Sequence, residues 1–188
     1  MFKKLIFVLT LFLFSFSSNI QSKERSTMIM KLKSGEVKIE LFDDVAPNHV
    51  KRIKILADSG KYDGVAFHRV IDGFMAQTGD VKFGNTKLDF NAQMVGTGGS
   101  EFPDLKAEFN NIPHQRGVLS MARSQSPDSA NSQFFICFDS HPHLDRNYTA
   151  FGRVISGMEF VDKLKKGAPG SGVVDNPDTI ISLRSSKK

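Results

Sequence analysis

The stretch Phe67-His68-Arg69-Val70-Ile71-Asp72-Gly73-Phe74-Met75-Ala76-Gln77-Thr78-Gly79-Asp80 sets one arginine among large apolar residues, with an amide side chain close behind it. Two chemistries fit that pattern. Arg69 could form a structural ion pair with Asp72 or Asp80, or it could offer N–H donors beside a surface shaped for an apolar ring, because buried charges are either paired or functional. The stretch contains no obvious nucleophile, phosphate cradle or metal cluster. It suits the holding of a neutral peptide during a change in which no covalent bond breaks.

A second constellation runs from Leu119 to Ile136: Ser120-Met121-Ala122-Arg123-Ser124-Gln125, a polar turn, then Ser132-Gln133-Phe134-Phe135-Ile136. A strand leads out into the turn and returns as a strand headed by Gln133. By itself this is a decorated hairpin loop, but it supplies a second apolar wall. Other groupings are weaker. His141-Pro142-His143 lacks the third and fourth ligands a zinc site needs, so no metal is expected. Gly96-Thr97-Gly98-Gly99 has neither the lysine nor the strand–helix frame of a phosphate loop and reads as a flexible turn. Cys137, the single cysteine, lies in the apolar run Phe134–Phe138, where burial is expected and a nucleophilic role is not.

These groups need a mainly β frame. Met28–Lys33 and Glu36–Leu41 flank Ser34-Gly35, a hairpin signal, and the second run alternates with Val37, Ile39 and Leu41 on one face. Pro47 opens a helix whose apolar positions Val50, Ile53, Leu56 and Ala57 run up to Gly60. A second helix is predicted over Ser156–Lys166, with Ser156 and Glu159 at capping-box spacing and Gly167 closing it. Further strands are predicted at 66–71, 75–78, 117–121, 134–138, 149–154 and 179–183, which points to a barrel or a sandwich. Val81–Gly99 is the longest irregular region.

The 188 residues suit one domain with a full core. Hydrophobic content of 40% and charged content of 24% are those of an ordinary globular chain. Net charge is +5 with Lys3 and Lys4 contributing two positives, and no Lys/Arg run carries interleaved aromatics, so no nucleic-acid partner is expected. Met1–Lys4 is short and basic, Leu5–Phe16 is apolar, and Ser15–Ser22 is small and polar. This reads as a signal peptide over 1–22, cleaved after Ser17 or Ser22, since twelve apolar residues fall short of the ~20 that span a bilayer. A periplasmic or secreted location follows, the alternative being an inner-membrane anchor through an uncleaved segment.

With these motifs in order, the sequence resembles the cyclophilin family of peptidyl-prolyl cis-trans isomerases. The resemblance covers about Thr27 to Arg184 and is carried by Phe67–Ile71, Gly73–Gln77, Ser120–Ala122, Ser132–Ile136 and Phe151-Gly152-Arg153-Val154. It implies a closed eight-stranded antiparallel barrel capped by two α-helices. Arg69 matches the family's catalytic arginine, and Phe74, Met75, Phe135 and Leu144 match the walls of its proline pocket. Gln77 matches the amide that holds substrate and arginine. His68, Ile71, Ala122, Gln133 and Tyr148 match rim positions, and Arg123 the position whose backbone binds the peptide. His143, also placed beside the pocket, stands where many members have a tryptophan associated with cyclosporin binding, so weak inhibition is expected. Asp72 replaces a proline, Tyr148 a frequent histidine, and the loop from Asp80 to Gly96 is longer than in the short eukaryotic form; together these look like the bacterial branch. The resemblance thus implies a cofactor-free, monomeric isomerase acting on proline-containing peptides and unfolded protein clients.

Overall fold

The alternation along Glu36–Leu41 sets the register of the first hairpin. In the computed structural model, which describes residues 25–186, β1 (Thr27–Leu32) pairs antiparallel with β2 (Gly35–Leu41) from Thr27↔Glu40 to Leu32↔Gly35. Met28, Met30 and Leu32 then share the inner face with Val37, Ile39 and Leu41, all buried. The signal-peptide reading at 1–22 lies outside the described residues.

Helix α1 (Pro47–Asp58) turns Val50, Ile53, Leu56 and Ala57 into the same core. Its N-terminus carries no cap of its own. Glu108, from a distant loop, accepts from the Asn48 and His49 N–H groups at 3.1 Å each, supplying a carboxylate at the positive end of the helix. The buried His49 donates from Nδ1 to the same carboxylate at 2.6 Å. Burial holds the imidazole below its usual pKa, with Glu108 opposing, so the ring is neutral.

β3 (Arg69–Ile71), β4 (Met75–Thr78), β5 (Val118–Met121), β6 (Phe134–Cys137), β7 (Ala150–Ser156) and β8 (Ser182–Ser185) complete one antiparallel sheet in the order β3-β4-β6-β5-β7-β2-β1-β8. The expected closed barrel is not what forms. β3 and β8 end the curled sheet, and residues 64–70 meet 167–180 through the isolated bridges Ala66↔Thr179 and Arg69↔Val173 and scattered backbone hydrogen bonds in place of a continuous ladder. The chain that could have closed the ladder, 167–180, carries Gly167, Gly170, Gly172, Pro169 and Pro177, residues that interrupt regular pairing.

The second helix also departs from expectation. α2 spans only Met158–Asp162, Ser156 belongs to β7, and Gly157 occupies the N-cap with φ +87° and no side-chain cap. A Cβ at Gly157 would collide with the Glu36 carbonyl, so the close approach of β2 requires glycine there, and the capping box cannot form.

All four residues of β5 and of β6 are buried, which means both faces of the sheet are covered at this point. Leu119, Met121, Phe134 and Ile136 face the main core, while Phe135 and Cys137 face outward into a smaller cluster with Met75 and Leu144. That outer cluster underlies the candidate site.

Candidate active site

The site is built on the outer face of four paired strands. The ladder places Arg69 opposite Gln77, Gln77 opposite Phe135, and Phe135 opposite Ser120, so four residues form one row across β3, β4, β6 and β5. The next row on that face holds Ile71, Met75 and Cys137. Because side chains alternate along a strand, a slip of one residue would send this whole set into the core, and the buried Val70, Ala76 and Ile136 prevent it.

Over these rows lies a groove of about 550 Å³ lined by Arg69, Phe74, Met75, Gln77, Ala122, Arg123, Phe135, His143, Leu144, Asn147 and Tyr148. Its floor is apolar. The Phe135 ring meets Tyr148 edge-on, with centroids 5.8 Å apart, and Leu144 arrives on a 3-10 turn, Pro142–Leu144. Phe74 packs edge-on against His141 at 4.8 Å, and His141 Nε2 donates to the Phe74 carbonyl at 3.0 Å. The His143 ring lies 6.0 Å from that of Phe74.

Arg69 makes no ion pair among the described residues, which removes the structural reading of its charge. Its Nε donates to the Ser171 carbonyl at 3.1 Å. Asp80 is occupied elsewhere: its buried carboxylate accepts from the N–H groups of Lys82, Phe83, Gly96 and Gly98 at 2.7–3.1 Å. The glycine turn at 96–99 is therefore tied down rather than flexible, and the backbone donors that might cradle an anion already hold one from this chain.

Gln77 does not reach the arginine in the way expected of it. Its Nε2 donates to Gln133 Oε1 at 3.0 Å, and Gln133 Nε2 donates to the Gly98 carbonyl at 2.8 Å. The carbonyl fixes which end of Gln133 is the donor and leaves its oxygen for Gln77. Gln133 lines a second groove of about 600 Å³, which shares Gln77, Ala122 and Arg123 with the first. The Arg123 guanidinium donates to the carbonyls of Ser124, Gln125 and Asn147 and stacks 4.5 Å over the Tyr148 ring. Its own backbone N–H and C=O have no partner among the described residues.

Two rim expectations land elsewhere. Ile71 packs beneath the groove against the Met75 cluster, and His68 is buried under Gly96 with both ring nitrogens unpartnered. Burial lowers the His68 pKa and keeps the ring neutral.

Three features of the site were missing from the sequence reading. Asn147 lines the groove and holds Arg123 through a backbone carbonyl, which no side-chain motif announces. Ser171 holds Arg69 in the same way. Behind Phe135, His114 stacks on its ring at 6.3 Å, pairs through Nδ1 with Asp145 at 2.9 Å and meets Ser120 Oγ through Nε2 at 2.9 Å. Burial lowers the His114 pKa with Asp145 opposing, so a neutral ring donates to Asp145 and accepts from Ser120. The order Asp145–His114–Ser120 resembles a nucleophilic triad, but Ser120 is fully buried under Phe135 and no substrate could reach it. The layer is a support.

Residues 27–185 match the family model described as "Cyclophilin type peptidyl-prolyl cis-trans isomerase/CLD". A probable peptidyl-prolyl cis-trans isomerase of Brucella suis is 60% identical over 157 residues, covering 83% of this chain and 80% of that one. A peptidyl-prolyl cis-trans isomerase of Helicobacter pylori is 40% identical over 152 residues, covering 79% and 86%. Among solved structures, a Cryptosporidium parvum cyclophilin-type isomerase crystallised in the presence of the dipeptide Ala-Pro superimposes with a TM-score of 0.73 at 28% identity, covering 86% of this chain and 99% of that one. A cyclophilin from Hirschia baltica gives 0.70 at 27% identity, covering 86% and 74%.

Proposed function

Because the chain belongs to the cyclophilin-type peptidyl-prolyl cis-trans isomerase family and is such an isomerase, we propose that Arg69 is its catalytic residue and that the groove over Phe74, Met75, Phe135 and Leu144 seats the proline ring. The observation that carries this reading is the row Arg69–Gln77–Phe135, which sets one unpaired guanidinium beside an apolar floor.

Rotation about an X-Pro bond is slow because amide resonance gives the C–N bond double-bond character. In the twisted transition state that resonance is lost and the prolyl nitrogen holds a localised lone pair. A guanidinium N–H directed at that nitrogen binds the twisted form better than either planar one, which is differential transition-state binding by a preorganised donor. An acceleration of about 10⁵ requires roughly 7 kcal/mol. One charge-assisted hydrogen bond contributes about 1.5–3 kcal/mol. The remainder falls to the groove, which anchors the ring, and to the unpaired backbone of Arg123, which holds the flanking peptide.

The clients in this reading are unfolded, proline-containing proteins met outside the cytoplasm, in the periplasm or beyond, with the enzyme acting as a monomer after cleavage of the leader at Ser17 or Ser22. The basic, apolar and small-residue order of Met1–Ser22 supports export. N-terminal sequencing of the processed protein together with cell fractionation tests it; an intact leader in a membrane fraction means an anchored enzyme, and a cytoplasmic pool rules export out. His143 in place of a tryptophan supports weak cyclosporin inhibition.

The deciding experiment is an exchange-based isomerase assay on an X-Pro peptide with wild type and Arg69→Ala. Arg69→Ala lowers kcat by about 10–150-fold, the range that 1.5–3 kcal/mol implies, with a smaller loss of peptide affinity. Near-normal turnover in Arg69→Ala sinks the mechanism.

A further inference from the structure

Arg69 sits in the end strand of the curled sheet, and beyond it the ladder gives way to the single bridge Arg69↔Val173. What lies there is the turn Gly167-Ala168-Pro169-Gly170-Ser171-Gly172-Val173. Its backbone is fastened to β3 twice, by the Gly167 N–H to the Val70 carbonyl and the Val70 N–H to the Gly172 carbonyl, each at 2.8 Å. It is also fastened to itself, by Ala168 N–H to the Val173 carbonyl at 2.9 Å and Gly172 N–H to the Ala168 carbonyl at 2.8 Å. The Ser171 carbonyl that receives Arg69 Nε is thus carried on a braced loop. We propose that this turn, rather than Gln77, aims the catalytic arginine, with Ser171 and Gly172 as positioning residues. The inference rests on the Arg69 reading above.

The chemistry of a guanidinium explains why the Nε bond matters. Arginine has five N–H donors in one rigid plane. Anchoring Nε to a fixed carbonyl restricts rotation of that plane and leaves the four terminal N–H bonds for the groove, where Arg69 is part of the lining. Gln77, by contrast, donates its Nε2 to Gln133, and no hydrogen bond joins its Oε1 to Arg69. Gly172 sets the approach of the turn to the arginine stem. A Cβ there would collide with Ile71 Cγ1 and come within 3.2 Å of Arg69 Cγ, at a φ of +73°. Gly170 provides an internal control, with φ +81° and nothing within 4 Å of where its Cβ would stand. An alanine at either position meets comparable backbone strain, but only at Gly172 does it push on β3, hardest on Ile71 and then on the Arg69 stem.

The test compares Gly170→Ala and Gly172→Ala in full-length protein, with kcat and KM read on an X-Pro peptide and peptide affinity read by calorimetry. Gly172→Ala lowers kcat by about tenfold or more while peptide Kd stays within about threefold. Gly170→Ala keeps kcat within about twofold. In an Arg69→Ala background, Gly172→Ala adds no further loss, because its effect runs through the missing side chain. Equal losses in the two glycine variants, or an additive loss in the double variant, overturn the proposal. Full turnover in Arg69→Ala overturns the mechanism it rests on, which separates the two failures. Should Gly172→Ala not fold, the wild type still decides: the Arg69 Nε–H signal in NMR exchanges with solvent more slowly than that of an exposed arginine, and exchange at the exposed rate refutes the Ser171 bond.

Discussion

Phe134 and Phe135 are neighbours in one strand and chemically identical, yet they serve different regions. The Phe134 ring is enclosed, meeting Tyr62 and Phe151 edge-on at 5.7 and 5.9 Å in the main core. Phe135 lies on the opposite face, with Tyr148 beside it, His114 stacked behind it and the groove in front. The core face is apolar on all sides, with the Tyr62 hydroxyl satisfied by the Ser132 carbonyl at 2.8 Å. The groove face is backed by hydrogen-bonded groups: His114, Ser120 and Asp145. Volume matters on the first face. On the second, orientation matters as well, because a ring in the wrong rotamer closes the seat it should form.

The contrast can be broken most directly at its centre. Phe134→Ala is expected to cost about 3–5 kcal/mol of stability, as large-to-small core substitutions do, read as a fall in the urea midpoint. Turnover per folded molecule stays near wild type. A loss under about 1 kcal/mol would show that the two faces are not different in kind. Phe135→Ala is expected to cost somewhat less stability, about 2 kcal/mol, because the ring belongs to the smaller outer cluster and meets the groove at one edge, but it weakens peptide binding and kcat/KM together by about tenfold or more. Unchanged peptide affinity would remove Phe135 from the proline seat.

Acid sharpens the comparison next. His49, His68 and His114 are held neutral by burial, below the usual value of 6.5. The unfolded chain therefore takes up protons first, and stability falls as pH drops through about 6.5 toward the lower folded values. The carboxylates add a second stage. Hydrogen bonds from His49 and Asn48 overcome the burial of Glu108 and hold it below 4.5, while the His114 N–H holds Asp145 below 3.8, so their stabilisation is present above those values and is lost beneath them. Thermal melts from pH 7 to pH 4 should show a falling midpoint. His114→Gln should flatten the upper part of that fall while lowering peptide affinity, whereas His49→Gln should flatten it with affinity unchanged. The reverse pairing would assign the polar support to the wrong face. The smallest effect concerns Cys137, a groove-face residue whose thiol burial pushes up to about 12. Native protein should not react with a thiol reagent, and urea-unfolded protein should react fully; rapid native labelling would mean that the floor of the site opens.

Legibility from sequence followed the range of the interaction. The first hairpin, the apolar line of α1 and the strand at 75–78 are local patterns, and they stand where the periodicity put them. α2 is short because Gly157 must admit the Glu36 carbonyl, a contact between segments far apart in the chain. Closure of the sheet, which the family resemblance implied, fails in a stretch rich in Gly and Pro whose effect on pairing the sequence reading did not weigh. The family resemblance, not the alternation of β4 and β6, named Phe74, Met75, Phe135 and Leu144 as walls of the groove they line. The hold on Arg69 could not be read from the sequence: it comes from a main-chain carbonyl 102 positions away, and a carbonyl belongs to every residue alike.

The groove lies on the outside of the sheet, flanked by Arg69 on one side and Arg123 on the other, instead of inside the curl where the core sits. A polymer can therefore be laid across it broadside. No chain end has to be threaded, so a proline in the middle of a peptide is as reachable as one beside a terminus. What limits access is then the conformation of the peptide, because a segment wrapped into a compact fold cannot lie flat.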